Sequence, residues 1–357
     1  MAVVGLTRKN LENDRMIGID ILRIIMACMI FLRHIITLGG GTFGKINDFI
    51  MQQTEICMCL FFVISGYCVN NSSKSELCKI SDVIIFYKKR IGKILPLYYL
   101  VELFRVAEKF IYEKNRKWLM IFPIRLLGIQ IHYSTEIYSG VTWFISCLLI
   151  GYFIFPWIKL LTRQFSAKYQ LGAGIAVLLL LEYTQILNNY GYRIDMYYNS
   201  FFRTLEFIFG VFLSAYMKNK RYLCGYKRNI INHFEFVLVI IVSWFFFMKF
   251  KALKYLCVTV VVIAASMIQT PINKCYKRLI VFWGKYTFDL FILQDVVFSN
   301  LFSKYRDMYI NLVNGREQFY MIAILLCIII CRFIQVVFMR IKYLIKFASP
   351  FTGNDMS

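Results

Sequence analysis

Four ionisable side chains lie in the first apolar stretch, GIDILRIIMACMIFLRH, from Gly18 to His34. An ionisable residue at the centre of a membrane helix costs roughly 3 kcal/mol, so such residues usually face a protein interior and often mark function. Arg23 and His34 are eleven residues apart, which places them on one helical face about 16 Å apart along the axis. Asp20 shares that face and can hold the Arg23 guanidinium, whereas Arg33 can snorkel to the interface. The face therefore offers a cation for an anionic group and, at another depth, an imidazole that can take up a proton.

A structural interpretation of this face stays open. In it, Asp20 and Arg23 tie the helix to its neighbours, and His34 is hydrogen-bonded near the helix end. The other two histidines, His132 and His233, fall in a connection and at the start of a later span, where a solvated side chain is the commoner outcome. His34 is therefore the histidine best placed for chemistry.

The composition excludes a soluble protein. Of 357 residues, 59% are hydrophobic and 18% aromatic, and the mean hydropathy is +0.59, which is typical of an integral membrane protein. The net charge of +22 would favour nucleic-acid binding in a soluble protein. Here the lysines and arginines gather between apolar spans, as the positive-inside rule requires. We therefore expect a lipid bilayer, and no nucleic acid, as partner.

The cysteines favour neither a disulfide framework nor a metal site. There are eleven of them, most lie in apolar spans, and no CxxC motif or Cys/His cluster occurs. Buried thiols acting as small apolar residues are the better interpretation. We predict no metal and no permanently bound cofactor. The N-terminal residues also lack a signal-peptide core, so we expect the first span to insert and remain.

Hydropathy predicts an all-α bundle of about ten transmembrane helices. The third, fifth and seventh predicted helices are the weakest, so a count of nine or eleven helices stays open. A cytoplasmic N-terminal segment (1–15) and a cytoplasmic tail (342–357) flank the membrane domain (16–341). The predicted spans run approximately over Met16–Leu38, Phe49–Val69, Ile94–Ile111, Val141–Leu161, Leu171–Leu187, Asn199–Met217, Phe234–Met248, Ala252–Ile268, Ile280–Phe302 and Phe319–Ile341.

The distribution of lysine and arginine places both termini in the cytoplasm. The discordant connection, Tyr112 to Gly140, has four basic residues and is partly apolar, so we expect an interfacial or re-entrant piece on the outer face. In this orientation Arg23 lies toward the cytoplasm and His34 near the outer end. The basic runs assigned to the inside are the N-terminal segment, Lys74 to Lys93, Lys218 to Arg228, Lys274 to Arg278 and the tail from Arg340.

A basic run precedes a Pro-Tyr pair in FYKKRIGKILPLYYL. Arg90 and Lys93 are interpretable as positive-inside anchors and as a phosphate clamp, since arginine offers a bidentate fork and lysine a point charge. The two interpretations are compatible. Pro96 predicts a helix start or a kink, and Tyr98 follows as an interface aromatic.

Small and charged residues mark the second and sixth spans. Ser65 and Gly66 of FFVISGY let another helix approach closely, and packing is favoured over a nucleophilic serine because GxSxG is absent. Glu55 is expected near the outer end, where it can approach the histidine. Arg203 and Glu206, three residues apart, are predicted to form an ion pair within the membrane.

Five motifs, in order, resemble those of the acyltransferase 3 family of integral-membrane acyltransferases. They are GIDILR followed by a histidine after ten intervening residues, FFVISGY, KKRIGKILPLYY, VTWFISCLLIGYFIFP and FRTLEFIFGVFL. Each is weak alone, but together they span about residues 16 to 300. Characterised members of the family move an acetyl or other short acyl group from an acyl-CoA to envelope sugars or to a small lipid-linked or secreted acceptor.

The resemblance implies roles for individual residues. It identifies Arg23 and His34 with the family's arginine–histidine pair, and His34 with its catalytic residue. Arg90 matches the basic position before the Pro-Tyr pair, and Lys93 stands where arginine is commoner. Gln294 departs from the family by standing where a histidine is frequent, so the acceptor expected here can differ from the common one. The residues that match later family helices are Trp143, Tyr152, Pro156, Arg203, Glu206 and Gly210.

The expected reaction is transfer of an acetyl or other short acyl group from cytoplasmic acyl-CoA to a hydroxyl of a surface or lipid-linked glycan. It needs a base, a stabilised oxyanion and a site that excludes water. His34 is expected as the base or the acyl carrier, with Arg23 and Asp20 holding the donor or fixing helix packing. Arg90, Lys93, Tyr98, Glu55, Trp143, Arg203 and Glu206 are the expected substrate-binding residues.

Two other functions stay open. A transporter or flippase would also bury charged residues among ten helices, although no half-to-half repeat is visible. A non-catalytic receptor on an acyltransferase scaffold would not depend on His34. A homodimer is compatible with the sequence.

Overall fold

The computed structural model describes residues 16–37, 43–73, 77–111, 114, 116–129, 142–224, 233–268, 273–296 and scattered helical positions between 322 and 340. The predicted segments 1–15 and 342–357, the connection 130–141 and about half of the last predicted span lie outside these residues. Within them, short 3-10 turns precede α2 and α9. In chain order the helices are α1 Ile17–Thr37, α2 Asn47–Ser72, α3 Ile80–Ile111, α4 Lys117–Leu126, α5 Trp143–Gln164, α6 Ala167–Asn189, α7 Ser200–Cys224, α8 His233–Lys249, α9 Lys254–Met267 and α10 Lys274–Val296.

The described chain is an all-α bundle with membrane-spanning helices, which confirms the predicted fold class. Among the described residues, four helical segments are long and apolar enough to cross a membrane: Gly44–Ser72, Trp143–Gln164, Ala167–Asn189 and Ser200–Asn219. The first helix, α1, is also long, but it carries Asp20, Arg23 and Arg33 within 21 residues. Since such charges are costly in lipid, α1 must turn them toward other helices.

The third helix differs most from its predicted bounds. It begins at Ile80 instead of Ile94, so Pro96 lies inside the helix and not at its start. Hydropathy does not predict this extension, because the added turns are rich in basic residues. Lysine and arginine are nevertheless good helix formers, so the helix continues through them. The extension presents Arg90 and Lys93 to the bundle from within a helix.

Helix α2 lies at the centre of the bundle, where it packs against α1, α5, α7 and α9. Two glycines make its contact with α7 close. A Cβ on Gly66 would lie 1.9 Å from the carbonyl oxygen of Phe207, and one on Gly210 would lie 2.0 Å from that of Val63. The predicted role of Gly66 in close helix packing is therefore confirmed.

Helix α1 packs against α2, α9 and α10, and α10 also contacts α3. Side chains early in α1 and late in α2 line the same cavity, so these two helices run in opposite directions. We call the end of the bundle at which α1 begins the near end, and the end at which α1 finishes the far end. Helices α1, α2, α3, α5 and α10 surround the cavity in the near half.

Candidate active site

The near half of the bundle contains a strongly basic cavity of about 180 Å³. Four cations, Arg23, Arg90, Lys93 and Lys285, are among its described lining residues, and no carboxylate is. Each cation comes from α1, α3 or α10, so the cavity exists only when these helices are packed together. Such a cluster of arginines and lysines suits a phosphate-bearing or otherwise anionic ligand.

Neighbouring side chains hold two of these cations in place. Arg23 donates to the Asp20 carboxylate at 3.5 Å, and Arg90 donates to the Ser72 hydroxyl at 2.5 Å. Both guanidinium groups also act electrostatically on the Tyr152 hydroxyl. A Cβ on Gly284 would lie 3.0 Å from the Asp20 side chain. The missing side chain lets α10 approach α1 and bring its adjacent lysine to the cavity.

Three phenylalanines close the cavity on the side toward the far end. They are Phe61 of α2, Phe144 of α5 and Phe291 of α10, which we call the phenylalanine layer. All three line the cavity. Their ring centroids are 6.1 Å apart for Phe61 and Phe144, 6.2 Å for Phe61 and Phe291, and 5.1 Å for Phe144 and Phe291. Each ring contacts the other two, so the three form an apolar layer between the cavity and the far end.

His34 lies beyond this layer, near the far end of α1. Its ring centroid is 6.4 Å from that of Phe291, so one phenylalanine touches both the basic cavity and the imidazole. The Gln294 side chain interacts with the imidazole as well. His34 Nδ1 and Gln294 Oε1 are both buried, and neither has a hydrogen bond of good geometry within the described residues.

A buried ion pair lies at the far end. Arg203 donates to both carboxylate oxygens of Glu206, at 2.9 and 2.7 Å, and the Tyr255 hydroxyl donates to the same carboxylate at 2.9 Å. This is the ion pair predicted from their spacing. Breaking such a pair by removing one partner leaves an uncompensated buried charge, which costs about 3–5 kcal/mol.

Partly exposed polar and aromatic residues lie beside this pair. The Tyr197 ring is 5.5 Å from the Arg33 guanidinium and 5.3 Å from that of Arg203. Glu55, placed by the sequence near the outer end where it can approach His34, pairs with Lys254 at 2.7 Å. The Glu55 side chain keeps 42% of its surface exposed, so this carboxylate remains accessible from the far end.

Two further predicted residues lie apart from the basic cavity. Trp143 packs at the far end, with its ring centroid 5.3 Å from that of Tyr197 and 5.1 Å from that of Tyr198. Tyr98 is fully buried, and its hydroxyl donates to the backbone carbonyl of Arg125. Tyr98 therefore joins α3 to α4 and is not among the residues that line the cavity.

Sequence reasoning missed several residues of this arrangement. A signal existed for Lys285, because a lysine inside a predicted apolar span is costly unless it faces a cavity. Tyr197 lies in a connection where no periodicity points to it, and Lys254 pairs with a residue 199 positions away. The phenylalanine layer could not be predicted from the sequence, because its members come from three helices in a chain with 34 phenylalanines.

Comparison with known proteins gives one match. The model of the acyltransferase 3 family, described as an acyltransferase domain, matches residues 16–336. No curated protein and no solved structure matches the chain. Because the matched region covers the whole helical bundle described above and most of the chain, this protein belongs to the acyltransferase 3 family of membrane acyltransferases.

Proposed function

We propose that this membrane acyltransferase moves an acetyl or other short acyl group from cytoplasmic acyl-CoA to a hydroxyl of a cell-envelope or exopolysaccharide sugar. One observation carries the proposal. His34 touches the far side of an apolar layer whose near side closes a cavity with four cations. An anionic donor and the histidine are thereby held on opposite sides of the same phenylalanines.

The near end suits the donor. Coenzyme A carries several phosphate charges, and Arg90 and Lys93 lie in the basic run that the positive-inside rule assigns to the cytoplasm. At about 180 Å³ the cavity is smaller than a typical drug-sized site of about 300–1,000 Å³. It therefore suits only part of the donor, with a phosphate against the cations, the thioester end toward the phenylalanine layer and the rest of the nucleotide outside. Arg23 is about 16 Å from His34 along α1, so its role is to hold the donor, with Asp20 as its counter-charge.

The phenylalanine layer suits the passage of a short acyl group. An acetyl group is small and uncharged, whereas phosphates and bulk water are disfavoured among packed aromatic rings. Excluding water from the thioester prevents wasteful hydrolysis. If the layer lets only the acyl group pass, this also explains why the cations and the histidine lie at different depths.

Two routes for the transfer use His34. As a base, the imidazole takes the proton of the sugar hydroxyl while its oxygen attacks the thioester carbon, and the departing thiolate receives that proton. As a carrier, an imidazole nitrogen first displaces the thiolate, and the hydroxyl then attacks the acyl-imidazole; the freed imidazole takes the hydroxyl proton, which passes to the thiolate. Acid quenching distinguishes the two routes. After incubation with radiolabelled acyl-CoA and no acceptor, only the carrier route leaves the labelled acyl group bound to the protein.

The far end suits a sugar acceptor. Tyr198 is 37% exposed, and its ring centroid is 4.7 Å from that of Tyr197. Glu55 acts electrostatically on the Tyr197 hydroxyl. Aromatic rings offer flat apolar contacts, and a carboxylate accepts hydrogen bonds from hydroxyls. We assign acceptor binding to Glu55 and Trp143 together with these tyrosines. The Arg203–Glu206 pair holds this surface in place, because Arg203 also donates to the Tyr197 carbonyl at 2.9 Å.

The test uses membranes incubated with radiolabelled acetyl-CoA and an extracted envelope glycan. Label should appear in the glycan with the unchanged protein. It should fall by at least about 100-fold in His34→Ala and His34→Gln, the usual contribution of general acid–base catalysis. Thr37→Ala is the control, since Thr37 lies at the exposed end of the same helix. Unchanged labelling by His34→Ala at equal protein level would refute the mechanism.

A further inference from the structure

Gln294 is held in a defined orientation beside His34. The residue is 1% exposed, and its Nε2 donates to the backbone carbonyl of Phe291 at 3.0 Å. This bond turns the amide oxygen, Oε1, away from its own helix. Oε1 and His34 Nδ1 are both buried without a well-formed partner among the described residues, although the two side chains interact. Leaving a buried polar atom without a hydrogen bond is costly.

The chemistry of the two groups allows one pairing. An amide oxygen only accepts hydrogen bonds, so the imidazole nitrogen that faces it must carry a proton. We propose that Gln294 is a positioning residue for the transfer described above: its Oε1 accepts a hydrogen bond from Nδ1–H of His34. The neutral imidazole then keeps its lone pair on Nε2, which becomes the nitrogen that takes the proton or the acyl group.

An amide has a further consequence at this position. Glutamine neither gains nor loses a proton near neutral pH, so a proton taken up on Nε2 of His34 has no route through Nδ1 to residue 294. It returns from Nε2 to the departing thiolate, which balances the reaction without a second base. Within the described residues, Arg33 on α1 is the charged side chain that acts on the imidazole. The facing side chains of α10, Phe291 and Gln294, are both uncharged.

The test compares three forms of the purified, reconstituted full chain, using acetyl-CoA and extracted envelope glycan. Gln294→Met keeps the length and removes the acceptor, so kcat should fall about tenfold to 100-fold while the KM for acetyl-CoA stays unchanged. Gln294→Glu keeps an acceptor and adds a negative charge that stabilises imidazolium. The acid limb of its pH–rate profile should therefore move about one unit to higher pH.

A matched control is available in α6. Gln185 is also buried and has an unpaired Oε1, but its helix packs against α7 and α9. Gln185→Met should leave kcat and the pH profile unchanged. Should Gln294→Met fail to fold, Gln294→Glu still carries the test, since it has nearly the shape of glutamine. The inference is overturned if both Gln294 variants keep the kcat and pH profile of the unchanged protein. That result would not affect the proposed function, which is refuted by a different result, an active His34→Ala variant.

Discussion

Replacing Phe291 with leucine tests whether the acyl group passes through the phenylalanine layer. Phe291 is 5% exposed, and its ring contacts Phe61, Phe144 and His34. Leucine keeps the site apolar but removes the flat ring that separates the basic cavity from the imidazole. The opening between the basic cavity and the imidazole should therefore become wider, without any change in charge.

The fold should survive this change. Phe291→Leu loses two phenylalanine pairs, each worth about 0.5–1.5 kcal/mol beyond burial, or about 1–3 kcal/mol together. Phe291→Ala would remove the whole side chain and cost about 3–5 kcal/mol, enough to confuse loss of activity with loss of structure. Leucine is therefore the better substitution.

The measurement is release of free thiol from acetyl-CoA and butyryl-CoA, with and without glycan. A filled pocket discriminates by about 1–3 kcal/mol per methylene, or about 10- to 200-fold. Widening it should raise the relative rate with butyryl-CoA by at least about tenfold. Thiol release without acceptor should also increase, because water gains access to the thioester.

The matched control is Phe155→Leu, since Phe155 is also in a packed aromatic group. It is fully buried and contacts Phe86 and Phe207, but it does not line the cavity. This variant should lose comparable stability and keep the acyl preference and the low hydrolysis. Equal acyl preferences and equal hydrolysis in the two variants would show that the layer does not select the acyl group.

Three further predictions concern the donor cavity, the helix crossing and the acceptor surface. Arg90→Gln should raise the KM for acetyl-CoA about tenfold, whereas Arg163→Gln, an exposed arginine outside the cavity lining, should not; equal KM values would remove Arg90 from donor binding. Gly66→Ala should lower the thermal midpoint in detergent and cost at least about 1–3 kcal/mol, because its Cβ meets backbone. Gly172→Ala, which has open space, should be neutral or stabilising by about 1 kcal/mol; equal midpoints would contradict the close crossing. Tyr198→Ala should raise the acceptor KM about two- to tenfold with the acetyl-CoA KM unchanged, and the reverse pattern would move Tyr198 to the donor side.

Local spacing predicted the local parts of the site. Asp20 with Arg23 and Arg203 with Glu206 are pairs separated by one helical turn, and both ion pairs are present. Such pairs depend only on helix geometry, so a correct helix assignment is sufficient. The same reasoning gave the all-α membrane fold, because apolar spans of this length have few other outcomes.

Contacts between distant helices could not be predicted in this way. The ion-pair partner of Glu55, Lys254, comes from the start of α9, and nothing in the local spacing points to it. Gln294 was noticed as a departure from its family, yet only the packing of α10 against α1 brings it beside the imidazole. Lys285 joins the basic cavity for the same reason. These arrangements depend on which helices are neighbours, and hydropathy carries no information about that.

Sidedness is the most direct test of the central claim that His34 links a donor at the near end to an acceptor at the far end. The full chain would be reconstituted in vesicles of known orientation, with radiolabelled acetyl-CoA confined to one side and envelope glycan to the other. We predict labelled glycan only when acetyl-CoA is at the near end and glycan at the far end, and none with His34→Ala. Equal labelling when both substrates are at the far end, or undiminished labelling by His34→Ala, would contradict the account.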